Sequence, residues 1–317
     1  MLTHADIAAA RERIAGRVHR TPMLSATRIG EMAGVSLRLK AELLQKTGSF
    51  KVRGALNAIS LLSDAERARG VVGVSAGNHA QALAWAARAA GVRCTVVMPV
   101  NASQAKLDAT RGYGAAVVQH EWGSAMFDKA RSLGETHGYV FIHPFDDPRV
   151  VAGAGTTGLE IVEDAADVDA IVVPVGGGGL LSGIAVAVKH AKPSVRVFGV
   201  EPEGAQALRR SLDAGRVTAI DPPKTIADGL AAPMTTALPL WAAQHYVDDV
   251  VVVSDDEIAR AMGVILSSAK LLAEPAGAAA VAALIAGKLP VAAGAGARVV
   301  CVVSGGNVDV ARLKELL

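Results

Sequence analysis

The chain alternates short, nearly continuous apolar runs with longer segments in which apolar residues recur at helical spacing. Valine- and isoleucine-rich runs cover residues 71–75, 92–99, 169–175 and 298–304, and each precedes a segment with helical periodicity. Strands of this kind are typical of parallel sheets that have helices on both faces. The pattern therefore predicts an α/β fold, in which ligands bind at the carboxyl ends of the strands.

One uncharged stretch, residues 170–188, approaches the length of a membrane-spanning helix. Pro174 and the glycines at 176–179 interrupt this stretch. We therefore expect a strand, a tight turn and a buried helix there. Nearer the C-terminus, the spacing predicts one continuous helix over residues 255–273, followed by a helix and a loop over residues 273–297.

Composition excludes several classes of protein. Of the 317 residues, 51% are hydrophobic, which excludes a disordered chain. The 32 basic and 30 acidic residues give a net charge of +2 and no field that would attract nucleic acid. Cys94 and Cys301 lie in apolar runs, so we expect buried, unpaired thiols and a reducing cytoplasm. The charged N-terminus is unlike a signal peptide.

Four consecutive glycines follow the apolar run at 169–175 and open a helical segment. Glycines allow a sharp turn and a close approach of N–H groups to an anion, and the start of a helix favours negative charge. We therefore expect a phosphate site here rather than a packing turn alone. Gly177, Gly179 and Gly183 also form a loose dinucleotide pattern, with Glu201 placed to bind a ribose. A nicotinamide-dependent oxidoreductase is therefore a competing hypothesis.

Lys51 follows a Thr-Gly-Ser turn and begins a helical segment. A lysine beside a phenylalanine is usually an exposed surface residue. At a helix N-terminus with basic neighbours, however, its pKa would be lowered, which suits reaction with an aldehyde.

Two further polar loops end predicted strands. Ser75, Ala76, Gly77, Asn78 and His79 follow the first of these strands and could cap a helix or bind a carboxylate. The segment that begins at Ser304 ends the last strand, where a hydroxyl could meet a ring nitrogen.

Together these segments resemble a fold-type II pyridoxal-phosphate enzyme of the serine/threonine dehydratase and serine racemase family. The resemblance implies a tryptophan synthase β-like fold with two doubly wound domains of parallel or mixed sheets. It places a large domain at residues 1–51 and 147–317 and a small inserted domain at 52–146. The matching segments are KTGSFKVRGALNAI, SAGNHAQALAWAA, IHPFDDPRVVAGAGTTGLEI, PVGGGGLLSGIA, TIADGLA and VSGGNVD.

The resemblance also implies a role for each motif. Lys51 would be the Schiff-base lysine, with Phe50 against the cofactor ring. Asn78 would bond the phenolic oxygen of the cofactor, and Ser304 would face its pyridine nitrogen. The phosphate loop would comprise Gly176, Gly177, Gly178, Gly179 and Leu180. The loop that binds the substrate carboxylate would comprise Ser75, Ala76, Gly77, Asn78 and His79.

The activity implied is β-elimination from L-threonine or L-serine, which gives a 2-oxo acid and ammonia, with Lys51 as the α-proton base. The neutral Ser304 is a weaker electron sink than a carboxylate, which favours elimination. Racemases of the family carry a second serine where this chain has Ala76, and an asparagine where it has Phe145. Serine racemase and a hydroxyaspartate-type dehydratase remain alternatives within the family. Outside it, the oxidoreductase or a non-enzymatic amino-acid sensor remains open.

Many relatives hold a divalent cation after a Val-Glu-Pro segment. Here that pattern falls on Glu201, Ala205 and Ala207, so only one carboxylate is present and Glu201 is a weak candidate. Glu274 matches a Glu-Pro segment of the family without an assigned role. The resemblance further implies a small β-hydroxy amino acid as substrate and a homodimer or homotetramer. We expect no nucleic-acid or membrane partner and, unlike some relatives, no C-terminal regulatory domain.

Overall fold

Two β-sheets, each flanked by helices, organise the computed structural model, which describes residues 1–290 and 296–317. The strands are β1 (Met23–Ser25), β2 (Ser36–Lys40), β3 (Val71–Val74), β4 (Cys94–Pro99), β5 (Ala116–His120), β6 (Val140–Ile142), β7 (Ala170–Pro174), β8 (Arg196–Pro202), β9 (Asp249–Val253) and β10 (Arg298–Val302).

The helices are α1 (His4–Ile14), α2 (Thr27–Ala33), α3 (Lys51–Ser60), α4 (Asp64–Arg69), α5 (Asn78–Ala89), α6 (Gln104–Gly112), α7 (Ser124–His137), α8 (Pro148–Asp164), α9 (Gly179–Ala191), α10 (Ala207–Ala214), α11 (Ala237–Tyr246), α12 (Asp255–Val264), α13 (Pro275–Ile285) and α14 (Val310–Leu316).

The larger sheet has six strands in the order β1-β2-β10-β7-β8-β9. All neighbours are parallel except β1 and β2, which are antiparallel. The last strand in the sequence, β10, therefore lies between β2 and β7, in the middle of the strand order. This mixed sheet confirms the predicted fold class.

The smaller sheet has four parallel strands in the order β5-β4-β3-β6. Its strands span residues 71–142 and lie inside the range expected for the small domain. The domain boundaries at 51/52 and 146/147 stay a prediction.

Close helix packing positions the glycine turn. A Cβ atom added at Gly183 on α9 would lie 2.6 Å from the backbone nitrogen of Gly155 on α8. The two backbones therefore pack directly against each other. This contact fixes α9, whose first residue is Gly179.

The stretch 170–188 forms β7, a turn and α9, as predicted. None of the described helices is long and apolar enough to cross a membrane.

The continuous helix predicted over 255–273 was wrong. A capping box between Ser254 and Glu257 starts α12, which continues as a wider π-helical turn, Ile265–Ala269. Lys270 then takes a left-handed conformation with φ of 59° and ends the helix. The chain turns back, and Glu274 donates its backbone N–H to the carbonyl of Gly305. The next predicted helix is α13, and part of the loop predicted after it, residues 291–295, lies outside the described residues.

Candidate active site

A cavity of about 160 Å³ lies between the two sheets, beside the carboxyl ends of β3, β7 and β10. It brings together every residue that the family resemblance assigned to pyridoxal phosphate or substrate binding. These residues are Phe50, Lys51, Ser75, Ala76, Gly77, Asn78, His79, Gly176, Gly177, Gly178, Gly179, Leu180 and Ser304. Glu201, the weak metal candidate, is not part of this lining.

Lys51 is the first residue of α3 and extends its amine into the cavity. The amine donates a hydrogen bond to the carbonyl oxygen of Pro144 at 3.0 Å and lies 5.1 Å from the ring centre of Phe50. Desolvation disfavours the ammonium form and lowers the pKa of Lys51 to about 8. The predicted direction of this shift is correct, but its cause is burial rather than basic neighbours.

Backbone contacts join the lysine segment to the last strand. Phe50 donates its N–H to the carbonyl of Ser304 at 3.0 Å, and Ser49 pairs with Gly305 as an isolated β-bridge. The side chain of Ser304 is almost completely buried at the cavity wall. Within the described part of the chain, its hydroxyl has no hydrogen-bond partner, so it is free to bond a ligand.

The glycine turn forms a shallow cradle. A Cβ at Gly177 would lie 2.3 Å from the ring of Phe145, and Gly178 has a φ of 98°. The clash therefore excludes a side chain at Gly177, and the backbone conformation disfavours one at Gly178. α9 begins at Gly179, so its first N–H groups have no partner within the helix and face the turn.

Contacts from residues 230–239 support this cradle. The hydroxyl of Thr235 donates to the carbonyl of Gly177 at 3.2 Å, and Pro239 packs against Gly178. The backbone of Leu230 packs against Gly176. Leu230 belongs to the TIADGLA segment, whereas Thr235 and Pro239 lie in no recognised motif, so the sequence did not indicate their contacts.

The loop at 75–79 connects β3 to α5. The hydroxyl of Ser75 accepts a hydrogen bond from the N–H of Gly77 at 3.0 Å, and α5 begins at Asn78. His79 is buried, with Nε2 3.3 Å from the carbonyl oxygen of Ile142. Burial lowers the pKa of His79 to about 3, so its imidazole is neutral at physiological pH.

Asn78 is held at both ends of its amide. It donates to Oε1 of Glu274 at 2.6 Å and accepts from Nδ2 of Asn307 at 2.8 Å. Burial, reinforced by the charge of Asp228, raises the pKa of Glu274 to about 8. Glu274, which had no role assigned from the sequence, therefore lies in the cavity as a carboxyl group that is largely protonated near neutral pH.

An ion pair lies at the rim of the cavity. The ammonium of Lys106 on α6 contacts the carboxylate of Asp228 from the opposite side, and the lysine stem packs over Gly77. Sequence reasoning missed both residues. Asp228 belongs to the TIADGLA segment that marked the family, whereas Lys106 lies in an ordinary surface helix that carried no signal.

An apolar wall completes the cavity on the side of the smaller sheet. It consists of Trp122, Met126, Phe127 and Phe145. The ring of His143 contacts Phe127 and Phe145 at centroid distances of 5.3 and 4.6 Å. Only Phe145 was singled out from the sequence, because the other three follow no recognisable motif.

Glu201 occupies a separate buried position in the larger sheet. Its two carboxylate oxygens accept hydrogen bonds from the N–H groups of Leu208 and Arg209, both at 2.8 Å, at the start of α10. Burial raises its pKa to about 7. Its carboxylate is therefore used to cap a helix and is not available to bind a ribose. The metal role proposed for it stays a prediction.

Across residues 1–290 and 296–317, no group of three or more His, Cys, Asp or Glu side chains is arranged to hold a metal ion. Cys94 and Cys301 are buried and free, as predicted. Burial raises the pKa of the Cys94 thiol to about 12 and that of Cys301 further still.

Comparison with known proteins identifies the family. The model of the family "Pyridoxal-phosphate dependent enzyme" matches residues 14–305. The chain belongs to this family. Its cofactor is accordingly pyridoxal phosphate, and the nicotinamide-dependent alternative was wrong.

Within the pyridoxal-phosphate family, the similar proteins span almost the whole chain. L-threonine ammonia-lyase of Thermotoga maritima is 45% identical over 318 residues, which cover 100% of this chain and 78% of that protein. The L-threonine dehydratase catabolic TdcB of Escherichia coli K12 is 42% identical over 98% of this chain and 94% of its own length. The structure of maize serine racemase superposes with a TM-score of 0.95 at 38% identity and covers 99% of this chain and 96% of that one.

The cavity fits pyridoxal phosphate in each of its parts. The turn at 176–179 carries no side chains, because a Cβ there would meet Phe145, Pro239 or Leu230, and the start of α9 favours a dianion. The hydroxyl of Ser304, which lines the cavity, can meet a ring nitrogen, and the amine of Lys51 can react with an aldehyde.

Proposed function

We propose that this protein is a pyridoxal-phosphate-dependent ammonia-lyase that eliminates water from L-threonine and L-serine and releases a 2-oxo acid and ammonia. The observation that carries the proposal is the placement of one desolvated lysine, Lys51, in the same cavity as a glycine cradle and a neutral serine hydroxyl. The similarity to L-threonine ammonia-lyase and L-threonine dehydratase over nearly the full chain supports it.

When bound, pyridoxal phosphate supplies an aldehyde that captures the substrate amine and a ring that withdraws electrons from the α-carbon. The residues 176–180 would hold its phosphate, and Phe50 would lie against its ring. Asn78 would donate to the phenolic oxygen, and Ser304 would meet the ring nitrogen. The uncharged Ser304 limits how strongly the ring withdraws electrons. Rapid loss of the β-hydroxyl group is therefore favoured over a long-lived negative charge at the α-carbon.

Lys51 would serve in turn as the point of attachment and as the base. Its burial makes the neutral amine accessible near physiological pH, which a lysine of ordinary pKa is not. The N–H groups and hydroxyl of residues 75–79 would hold the substrate carboxylate and so orient the α-hydrogen towards Lys51. As Lys51 takes the α-proton and the β-hydroxyl group leaves, the electron pair of the C–H bond would form a double bond between the α- and β-carbons. The proton and the hydroxyl group together make up the water that is lost.

The apolar wall favours a methyl group over a carboxylate at the β-carbon. Trp122, Met126 and Phe127 offer no hydrogen-bonding cation, and the ammonium of Lys106 is already paired with Asp228. We therefore rank threonine and serine above 3-hydroxyaspartate. Racemisation ranks lower, because Ala76 offers no base on the face of the α-carbon opposite Lys51.

The test is a keto-acid assay on purified protein loaded with cofactor. L-threonine, L-serine and threo-3-hydroxyaspartate are supplied separately, with and without a chelator. We expect 2-oxobutanoate from threonine, with no loss of rate in the chelator. Absence of keto acid from threonine and serine, in a protein that binds the cofactor, refutes the proposed reaction.

Lys51→Ala tests the role of the lysine, with Lys46→Ala as a matched control from the same segment. Lys46 lies outside the cavity lining and over the ring of Trp85. We expect Lys51→Ala to lose at least about a thousandfold in rate, in line with removal of a combined nucleophile and base. Near-native turnover in Lys51→Ala would sink the assignment.

A further inference from the structure

Asn307 lies behind the cavity and links two of the loops that form it. Its Nδ2 group donates one hydrogen bond to the carbonyl of Thr47 at 2.7 Å and another to Oδ1 of Asn78 at 2.8 Å. Asn307 is not part of the cavity lining, whereas Asn78 is. Any influence of Asn307 on the cofactor must therefore pass through Asn78 or through the lysine segment.

The partners of Asn78 define the orientation of its amide. Oδ1 accepts from Asn307, and Nδ2 donates to Glu274 at 2.6 Å. A rotated amide would place two N–H groups opposite each other at Asn307, so only one orientation satisfies both contacts. In that orientation the second hydrogen of Asn78 Nδ2 is left for a ligand in the cavity.

The contact with Thr47 lies in an unusual part of the backbone. Thr47 has a φ of 65°, which is uncommon for a residue with a side chain. Next to it, a Cβ at Gly48 would lie 2.3 Å from Oδ1 of Asn307, so the loop closes tightly around this amide. Thr47 precedes Lys51 by four residues, and the same loop therefore sets where α3 begins.

We infer that Asn307 is a positioning residue for the cofactor: it fixes the amide of Asn78 so that its free N–H points to the phenolic oxygen, and it ties the Lys51 segment to that amide. The inference rests on the proposed function, because it assumes that pyridoxal phosphate occupies this cavity. It assigns Asn307 no contact with the cofactor.

The test compares cofactor binding in Asn307→Ala and Asn307→Asp with the wild type. Asp309→Ala is the matched control, since Asp309 lies in the same loop but only caps α14. The readouts are the dissociation constant of pyridoxal phosphate and the ratio of the absorption bands of the bound cofactor. That ratio reports the hydrogen bond to the phenolic oxygen, and it needs no turnover.

We expect Asn307→Ala to weaken cofactor binding by about tenfold to thirtyfold, as the loss of two neutral hydrogen bonds predicts. In Asn307→Asp the carboxylate cannot donate a hydrogen bond to Oδ1 of Asn78. The amide of Asn78 would rotate so that its N–H groups face the new carboxylate instead of Glu274. It should therefore change the band ratio more than Asn307→Ala does, whereas Asp309→Ala should change neither quantity.

Two results would overturn the inference. One is an affinity within twofold of wild type and an unchanged band ratio in both Asn307 variants. The other is a lower melting temperature of the cofactor-free protein with an unchanged spectrum, which would make Asn307 merely structural. Failure of the wild type to bind the cofactor would instead refute the proposed function.

Discussion

The charged cluster beneath α3 provides a quantitative test of what holds Lys51 in place. Arg53 is fully buried and donates two hydrogen bonds each to Glu42 and Glu160, at 2.6–2.9 Å. The buried Lys40 donates a hydrogen bond to Glu160 at 2.6 Å. The cluster thereby ties α3, which Lys51 begins, to β2 and α8.

Replacing Arg53 by methionine preserves much of its volume but leaves buried carboxylates without their main partner. Breaking such a pair costs about 3–5 kcal/mol, because the remaining charge is not compensated. For a chain of this size, each kcal/mol lowers the melting temperature by about 2–3 °C. We therefore expect Arg53→Met to melt about 6–15 °C below the wild type, measured by calorimetry on the cofactor-free protein.

Arg298→Met is the matched control. Arg298 bonds Asp169 at 2.8 Å, but both side chains are nearly half exposed, so solvent screens the pair and it adds little to stability. Adding Glu42→Gln to Arg53→Met removes one unpaired charge and should recover part of the loss. If Arg53→Met melts within about 2 °C of Arg298→Met, the reasoning about this cluster is wrong.

The same cluster has a defined pH dependence. Burial alone would raise the pKa of Glu42, but the charge and hydrogen bonds of Arg53 outweigh it and hold the pKa below its ordinary value. A carboxyl group whose pKa is lower in the folded state stabilises the fold at pH values above its unfolded-state pKa. This stabilisation is lost as the pH falls through the folded-state pKa. The stability gap between wild type and Arg53→Met should therefore narrow in acid.

Three further predictions concern the cavity. Gly177→Ala would place a Cβ 2.3 Å from the ring of Phe145 and should weaken cofactor binding about tenfold or more, while Phe145→Ala in that background should restore part of it, both measured by titration. Desolvation lowers the pKa of Lys51 to about 8, and only the neutral amine attacks an aldehyde. The rate of cofactor capture, followed by stopped-flow absorbance, should therefore rise about tenfold per pH unit below pH 8 and level off above it. A rate that still rises at pH 10 would contradict this. Ala76→Ser should raise the formation of D-serine from L-serine at least tenfold by chiral chromatography, and an unchanged rate would show that this position does not supply the missing base.

Four of the sheet strands were predictable from their apolar runs, because the pattern that identifies them is also the cause of their burial. The apolar runs at β3, β4, β7 and β10 pack between helices and appear at the expected positions. β2 was missed because Arg38 and Lys40 interrupt its apolar pattern. Lys40 is nevertheless buried, since Glu160 on a distant helix neutralises it.

The candidate site was likewise predictable only in part. Its glycine turn, its lysine and its polar loops stand in contiguous motifs, and the structure brings all of them to one cavity. The pairing of Lys106 with Asp228 and the support of Gly177 by Thr235 join segments that are remote along the chain. Contacts of that kind depend on the folded arrangement, and no local pattern encodes them.

The contacts around Asn78 also have a consequence for how the protein folds. This amide meets Glu274 and Asn307 across 196 and 229 residues of chain, and Asn307 meets Thr47 across 260. Because closing such long loops is entropically costly, these contacts form late, after the local strand–helix units. The yellow colour of bound cofactor should therefore appear as the last event of refolding, and it provides an optical signal for the docking of the two sheets.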